Sequence, residues 1–339
     1  MARIWMSGLE AGHGDVFSVF SGVISAAQAR TGTYSWYSSD FLRSVSEPFA
    51  ANETEIYGRV AIRPTYASSK DFGNDVLVLL DSAGDEQITI QLQQFTCFMQ
   101  VRRGAFSGTL LGSGGEIHQN RWHCIEFRLV VDNAAGVFQL KIDGTQVINF
   151  AGDTQATANA NVRTFRLGKG PEAVAYGCVA YYDDIAFNNV AGGVNDSWIG
   201  RGGIPAIFPT GAGNSTDLQR FPDTGEANWE DVDEVPPDDD TSYVFDDLID
   251  DHDSYAASNL VATGTISAVQ WLARAKSALV GNPEIARILR IGGVDHQGAD
   301  IAIDADYDYY PEILDEDPQA VGAWTVAAVD GMEVGVKIR

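Results

Sequence analysis

Positive charge and sulfur are what this sequence has least of. Against 47 Asp and Glu stand 22 Lys and Arg, a formal charge of -25 at pH 7. That field repels polyanions over a Debye length of about 8 Å in physiological salt, which sets aside nucleic acid and anionic membrane surfaces as partners. Cysteine is limited to Cys97, Cys124 and Cys178, odd in number and set among apolar neighbours (TCFMQ, HCIEF). They read as buried free thiols, in keeping with folding in a reducing cytoplasm. No apolar run reaches membrane-spanning length, and the opening MARIWMSGLEAG lacks the apolar core of a secretory signal. Neither membrane insertion nor signal-peptide export is expected.

The usual catalytic spellings are missing as well. The chain has no Gly-x-Ser-x-Gly elbow, His-Glu-x-x-His, Cys-x-x-Cys or phosphate loop, and His13, His118, His123, His252 and His296 lie without metal spacing. The stretch GLEAGHGDVFSVFSG is rich in glycine, but no Lys follows Gly14, and Glu10 and Asp15 would repel a phosphate.

What is present is strand pattern. The 339 residues suit two domains. In TEIYGRVAIRP, Ile56, Gly58, Val60 and Ile62 share one face, while Glu55, Tyr57, Arg59 and Arg63 share the other. DVLVLLDSAGDEQITIQLQQ reads as two strands about a turn at Asp81 to Asp85, with Ile88, Ile90 and Leu92 inward and Thr89, Gln91 and Gln93 outward. HCIEFRLVVD alternates likewise through Ile125, Phe127, Leu129 and Val131. FQLKIDGTQVINF is the clearest hairpin, since Asp143-Gly144 supplies the positive φ angles of a tight turn. Many short strands with little helical period predict an all-β sandwich.

The order GLEAGHGDVFSVF, TGTYSWYSS, RWHCIEFRLVVD, FQLKIDGTQVINF and YYDDIAFNN resembles the concanavalin A-like, laminin-G-type jelly roll. The matching positions are Trp122, His123, Ile125, Glu126, Asp143, Gly144, Asp183, Asp184 and Ile185. In that resemblance the opening stretch is a first edge strand and turn, and His13 a surface histidine. The continuation NNVAGGVNDSWIGRGGIPAIFPTGAGNSTD, with DDTSYV and DPQAVGAWT further on, resembles structural proteins of tailed bacteriophages.

The expected division is a jelly roll over 1–203, an extended connector over 204–240 rich in Pro, Gly and Asp, and a small β-rich assembly domain over 241–339. Within the last, SAVQWLARAK is assigned to a strand, with a helix as the alternative. No Lys or Arg occurs between Arg220 and Arg274, where acids crowd; the block reads as a solvated face or as a docking surface for a basic partner or divalent cations.

Three constellations bear on chemistry. A glycoside hydrolase needs paired carboxylates at fixed separation; Glu230-Asp231-Val232-Asp233-Glu234 departs in spacing, and the predicted strands offer no outward acid pair. Asp304, Asp306 and Asp308 have the opening spacing of a calcium loop, but Tyr309 stands where the loop needs glycine and Asp315 where it needs Glu. As a strand, the same segment buries Ile301, Ile303, Ala305 and Tyr307 and turns the acids to water. Asp183 and Asp184 are a second calcium candidate, by resemblance. Trp36, Tyr37, Tyr181, Tyr182, Tyr307, Tyr309 and Tyr310 are candidate sugar-stacking platforms.

The resemblance implies a non-enzymatic virion protein with no catalytic residues and no cofactor beyond calcium. It would be made in host cytoplasm and docked as a homo-oligomer on other virion proteins, with host-surface glycan as a further partner. A tail fibre, tip or minor tail protein is the expected role, and an outer capsid decoration the alternative. A free carbohydrate-binding lectin or glycanase is the alternative of another class.

Overall fold

The structure, a computed structural model, describes the chain except residues 1, 41, 66–73, 94–96, 170–175, 178, 262–263, 279–280 and 282. Cys178 therefore lies outside the described residues. The chain divides into two compact units, Met1–Glu10 with Gly14–Ile204 and Ala11–His13 with Pro205–Arg339.

The first unit is a jelly-roll-like sandwich of two eight-stranded sheets among the described residues. Across the first sheet run Thr145–Gly152, Gly136–Ile142, His123–Val130, Glu55–Pro64, Ala180–Asn188, Ser35–Ser38 and Val23–Ser25, and Arg3–Ser7 also pairs with Ala180–Asn188. Across the second run Thr109–Glu116, Phe98–Arg103, Glu86–Leu92, Asn74–Leu80, Val162–Gly168, Ser44–Glu53 and Val19–Phe20, with Tyr176–Gly177 parallel to Asn74–Leu80. Neighbours in the order are far apart in sequence, so inward side chains from distant segments meet in one core.

Aromatic rings dominate that core. Phe165 lies 4.5 Å from Phe187 and 4.8 Å from Trp5 between ring centroids, while Phe127 stacks on Phe138. Gly58 makes room for them: a Cβ there would stand 2.2 Å from Cε1 of Phe127. The hairpin forms where its turn chemistry demands, with φ of 51° at Asp143 and 85° at Gly144. Asp143 also accepts the Cys124 amide at 3.0 Å, tying the turn to the adjacent strand.

The second unit is built on a five-stranded antiparallel sheet in the order Pro209–Thr216, His252–Ala257, Glu333–Ile338, Glu284–Ile291, Val294–Ala302. Of the expected connector 204–240, residues 205–240 belong to this unit, and Pro209–Thr216 supplies its edge strand. Two further ribbons are Val269–Ala275 with Asp308–Leu314 and Gln219–Phe221 with Tyr243–Phe245. SAVQWLARAK is thus strand, with Trp271 buried against Ile285, Leu289 and Tyr310. A short helix, Val326–Asp330, is capped by Thr325, whose hydroxyl accepts the Ala328 amide at 3.1 Å.

One expectation needs correcting here. Ile301 to Asp308 is not a single strand: pairing stops at Ala302, the chain turns, and a new strand begins at Asp308. Asp304, Asp306 and Asp308 are exposed along that turn, and the Asp304 backbone is used by Ser277 and by the Tyr310 hydroxyl.

Candidate functional site

The second sheet of the sandwich has one face on the core and one away from it. Ile88, Ile90 and Leu92 enter the core, so the pleat sends Gln87, Thr89 and Gln91 to the outer face. Register carries this across the sheet. Thr89 is opposite Val78 and Arg102, and Val78 is opposite Arg166; Asp75 is opposite Gln91, and Gln91 opposite Gln100. Two rows of side chains cross the face, and Arg166 and Arg102 stand three strand spacings, roughly 14 Å, apart.

A sheet's outer face ordinarily leaves its polar groups in water. Here Asp75, Thr89, Gln91 and Gln100 are all 8% exposed or less, so each polar atom needs a partner. Many have one. Thr89 donates its hydroxyl to Gly104 O at 2.7 Å, and Gln100 Oε1 accepts from Arg102 Nη2 at 3.2 Å and Gln91 Nε2 at 3.5 Å. Arg102 Nη1 donates to Gly108 O at 2.9 Å, and Arg166 Nη2 to Glu86 Oε1 at 2.5 Å.

Other atoms do not. Among the described residues Gln91 Oε1, Arg102 Nε and Arg166 Nε are buried without a hydrogen-bond partner. Each such group costs about 1–3 kcal/mol when left unmet. Arg166 is already ion-paired with Glu86, and the carboxylate of Asp75 shares the face with Gln91.

Neighbouring polar side chains show what a purely structural role looks like. Gln87 donates to Asn159 O at 2.6 Å and accepts the Ala156 amide at 2.5 Å, while Asp81 accepts from Thr157 Oγ1 at 2.7 Å and Asn159 Nδ2 at 3.0 Å. Burial pushes the Asp81 carboxyl up, but these donors outweigh it and hold the group below the ordinary range. Both residues are spent on fastening the loop through 155–161.

Asp183 and Asp184 are spent in the same way. Asp183 accepts the amides of Arg30 at 2.7 Å, Thr31 at 3.2 Å and Asp184 at 2.6 Å. Asp184 accepts the Arg30 guanidinium, the Thr31 hydroxyl at 3.0 Å and the Ile204 amide at 2.6 Å. N–H groups and a fixed positive charge face the oxygens that a calcium ion would need. Burial, with the Asp184 charge beside it, pushes Asp183 up to about 8 against the pull of those amides. No three His, Cys, Asp or Glu side chains come together as a metal site among the described residues.

The remaining candidates are also placed. Glu230 and Asp231 sit in a 3-10 turn, where Glu230 accepts the Ala227 amide and Asp231 holds Arg220 at 2.6 and 2.8 Å. Trp36 and Tyr182 are core, whereas Tyr37 and Tyr181 stack 4.4 Å apart on half-buried positions of the first sheet. Arg274 lies 5.4 Å from the Tyr307 ring centroid and 5.0 Å from that of Tyr309. Sequence reasoning missed the pairing of His123 Nδ1 with Asp143 Oδ2 at 2.9 Å, whose other ring nitrogen accepts the His118 amide at 3.0 Å. Both nitrogens are occupied, so the pair orients the hairpin. Burial pushes the Cys124 thiol up to about 11, a buried and unreactive group.

No family model matches the chain, and no curated protein matches it. Solved structures similar to it include the cellulose-induced protein Cip1, at 12% identity over 58% of this chain and 100% of that one, with a TM-score of 0.40. An endo-β-1,4-glucuronan lyase from the fungus Trichoderma reesei is similar at 14% identity over 56% and 97%, with a TM-score of 0.42. The alginate lyase Aly36B is similar at 13% identity over 56% and 93%, with a TM-score of 0.39. The similar structures are glycan-processing lyases, sialidases and a cellulose-induced protein, and the expected role as a non-enzymatic virion building block is corrected to that extent.

Proposed function

We propose that the first unit binds an acidic polysaccharide across the outer face of its second sheet. Arg102 and Arg166 meet uronate carboxylates, and the Gln91–Gln100 pair meets hydroxyls. The observation that supports this reading is the row that brings Arg102, Thr89 and Arg166 onto one sheet face beside Gln91 and Gln100. A guanidinium engages a carboxylate through two N–H groups at once, and such charge-assisted bonds are roughly twice as strong as neutral ones. A row roughly 14 Å long suits a linear chain better than a single small molecule.

Charge does not oppose the proposal as strongly as the whole chain suggests. Residues 1–204 carry 15 Lys and Arg against 20 Asp and Glu, so most of the negative field originates elsewhere in the sequence. A guanidinium held against a uronate carboxylate also stabilises negative charge at the carbon beside it, which is the first requirement of eliminative cleavage. Binding and cleavage are therefore read in one experiment.

In that experiment the full chain is titrated calorimetrically with alginate, glucuronan and a neutral glucan, and the mixtures are followed for ultraviolet-absorbing unsaturated ends. Saturable binding to an acidic polymer, weakened by Arg166→Ala and Arg102→Ala but not by Arg163→Ala, is the expected result. Equal binding of the neutral glucan, or no binding of any acidic polymer, would overturn the assignment.

A further inference from the structure

The most exposed aromatic surface of the second unit is the ribbon of Gln219–Phe221 and Tyr243–Phe245. Phe221 is opposite Tyr243, and Gln219 opposite Phe245. Pleating puts those four side chains on one face and Arg220 with Val244 on the other. Phe221 and Tyr243 stack with centroids 5.1 Å apart, and Phe245 sits edge-on to Tyr243 at 5.8 Å. Phe221 is 44% exposed and Phe245 43%. Leu248 and Ile249, three and four residues past Phe245, are more exposed still, and an open apolar cluster of this kind marks an interaction site.

Charge around the ribbon selects the partner. Arg220, its one cation, is on the opposite face and is held by Asp231 at 2.6 Å and Glu226 at 3.3 Å. No further Lys or Arg occurs in the sequence until Arg274. Asp223 follows Phe221 by two residues, and Asp246 and Asp247 come directly after Phe245; Asp223 and Asp247 are exposed, and Asp246 accepts Gln219 Nε2 at 3.4 Å. The aromatic face is therefore bordered by carboxylates and by no cation of its own ribbon.

We propose that this face docks an extended basic segment of a partner protein. Its Arg or Lys side chains lie over the rings of Phe221, Tyr243 and Phe245, and their charges are shared with Asp223, Asp246 and Asp247. Rings attract cations through their negative faces, and the carboxylates add attraction that salt weakens. The two contributions are separable: salt acts on the carboxylates, and removing the rings leaves net charge unchanged.

The test titrates the full chain with a peptide of alternating Arg and Gly, and with the same peptide carrying citrulline for Arg. The expected result is saturable binding of the Arg peptide, lost with citrulline and weakened about five- to tenfold by Phe221→Ala with Phe245→Ala. An unchanged melting temperature would show that the double variant folds. Equal affinity of the double variant would overturn the proposal, leaving only diffuse electrostatic attraction. Equal affinity of the citrulline peptide would overturn it as well. Sedimentation showing that the rings are instead covered by a second copy of this chain would also contradict it.

Discussion

The two units hold together by different means. Residues 205–339 carry 27 Asp and Glu against 7 Lys and Arg, while residues 1–204 are close to balanced. The sandwich fills its centre with interlocked rings, including Trp36, Phe127, Phe138, Phe165 and Phe187, all fully buried. The second unit has a smaller apolar core, with Trp271, Tyr310 and Trp324, and adds bonds between buried polar groups to it. Buried Asp253 accepts the Leu218 amide at 2.9 Å, Asn228 Nδ2 at 2.7 Å and the Tyr255 hydroxyl at 3.0 Å, and Arg287 meets both oxygens of Glu312 at 3.0 and 3.1 Å. Hydrogen bonds to charge add to that packing, each contributing about 1.5–3 kcal/mol.

The contrast is broken most sharply by removing a ring. Phe165→Ala should cost about 3–5 kcal/mol, read by urea unfolding, because Trp5, Phe17, Phe49 and Phe187 all touch that ring. A loss under about 1 kcal/mol would show that the sandwich is not packed through this cluster. Gly58→Ala should cost about 1–3 kcal/mol by the opposite route, overfilling the space beside Phe127 and Phe187. Its failure to destabilise would mean that the rings can shift.

Asp183 and the ion-paired acids of the second unit should respond oppositely to pH. The raised Asp183 carboxyl favours the folded sandwich below its ordinary value of 3.8, and that contribution is lost as pH rises toward about 8. In the second unit Arg274 holds Asp239, Lys276 holds Asp240 and Lys337 holds Asp250 below the same ordinary value, so their contributions persist above it and are lost as pH falls further. Protection against amide exchange, taken relative to the intrinsic base-catalysed rate, should fall in the sandwich core from pH 5 to 9 as Asp183 titrates. The smallest expected effect is Asp250→Asn. It removes exposed pairs with Lys337 at 2.9 Å and Arg339 at 2.6 Å and should leave the urea midpoint nearly unchanged, the more so in high salt.

Alternation and turn chemistry made much of the sandwich legible. Asp143-Gly144 allowed only a tight turn, and Ile88, Ile90 and Leu92 alternated with polar residues where the strand runs. The same alternation misled at Ile301 to Asp308, because a period of two continues through a turn when neighbouring residues happen to alternate. Pro209–Thr216 was read as connector since Pro and Gly discourage pairing; the strand His252–Ala257 overrides that local preference. The candidate site was half legible. Alternation directs Thr89 and Gln91 outward, yet both are buried. Burial depends on what lies above a sheet face, and no local pattern carries that information.

The role assigned to the Gln91, Arg102 and Arg166 face is tested most directly by calorimetric titration of the full chain and of Arg166→Ala with an acidic polysaccharide. The account predicts saturable binding by the natural chain and at least a tenfold weaker constant for the variant, about 1.4 kcal/mol. Identical isotherms for the two proteins would contradict it.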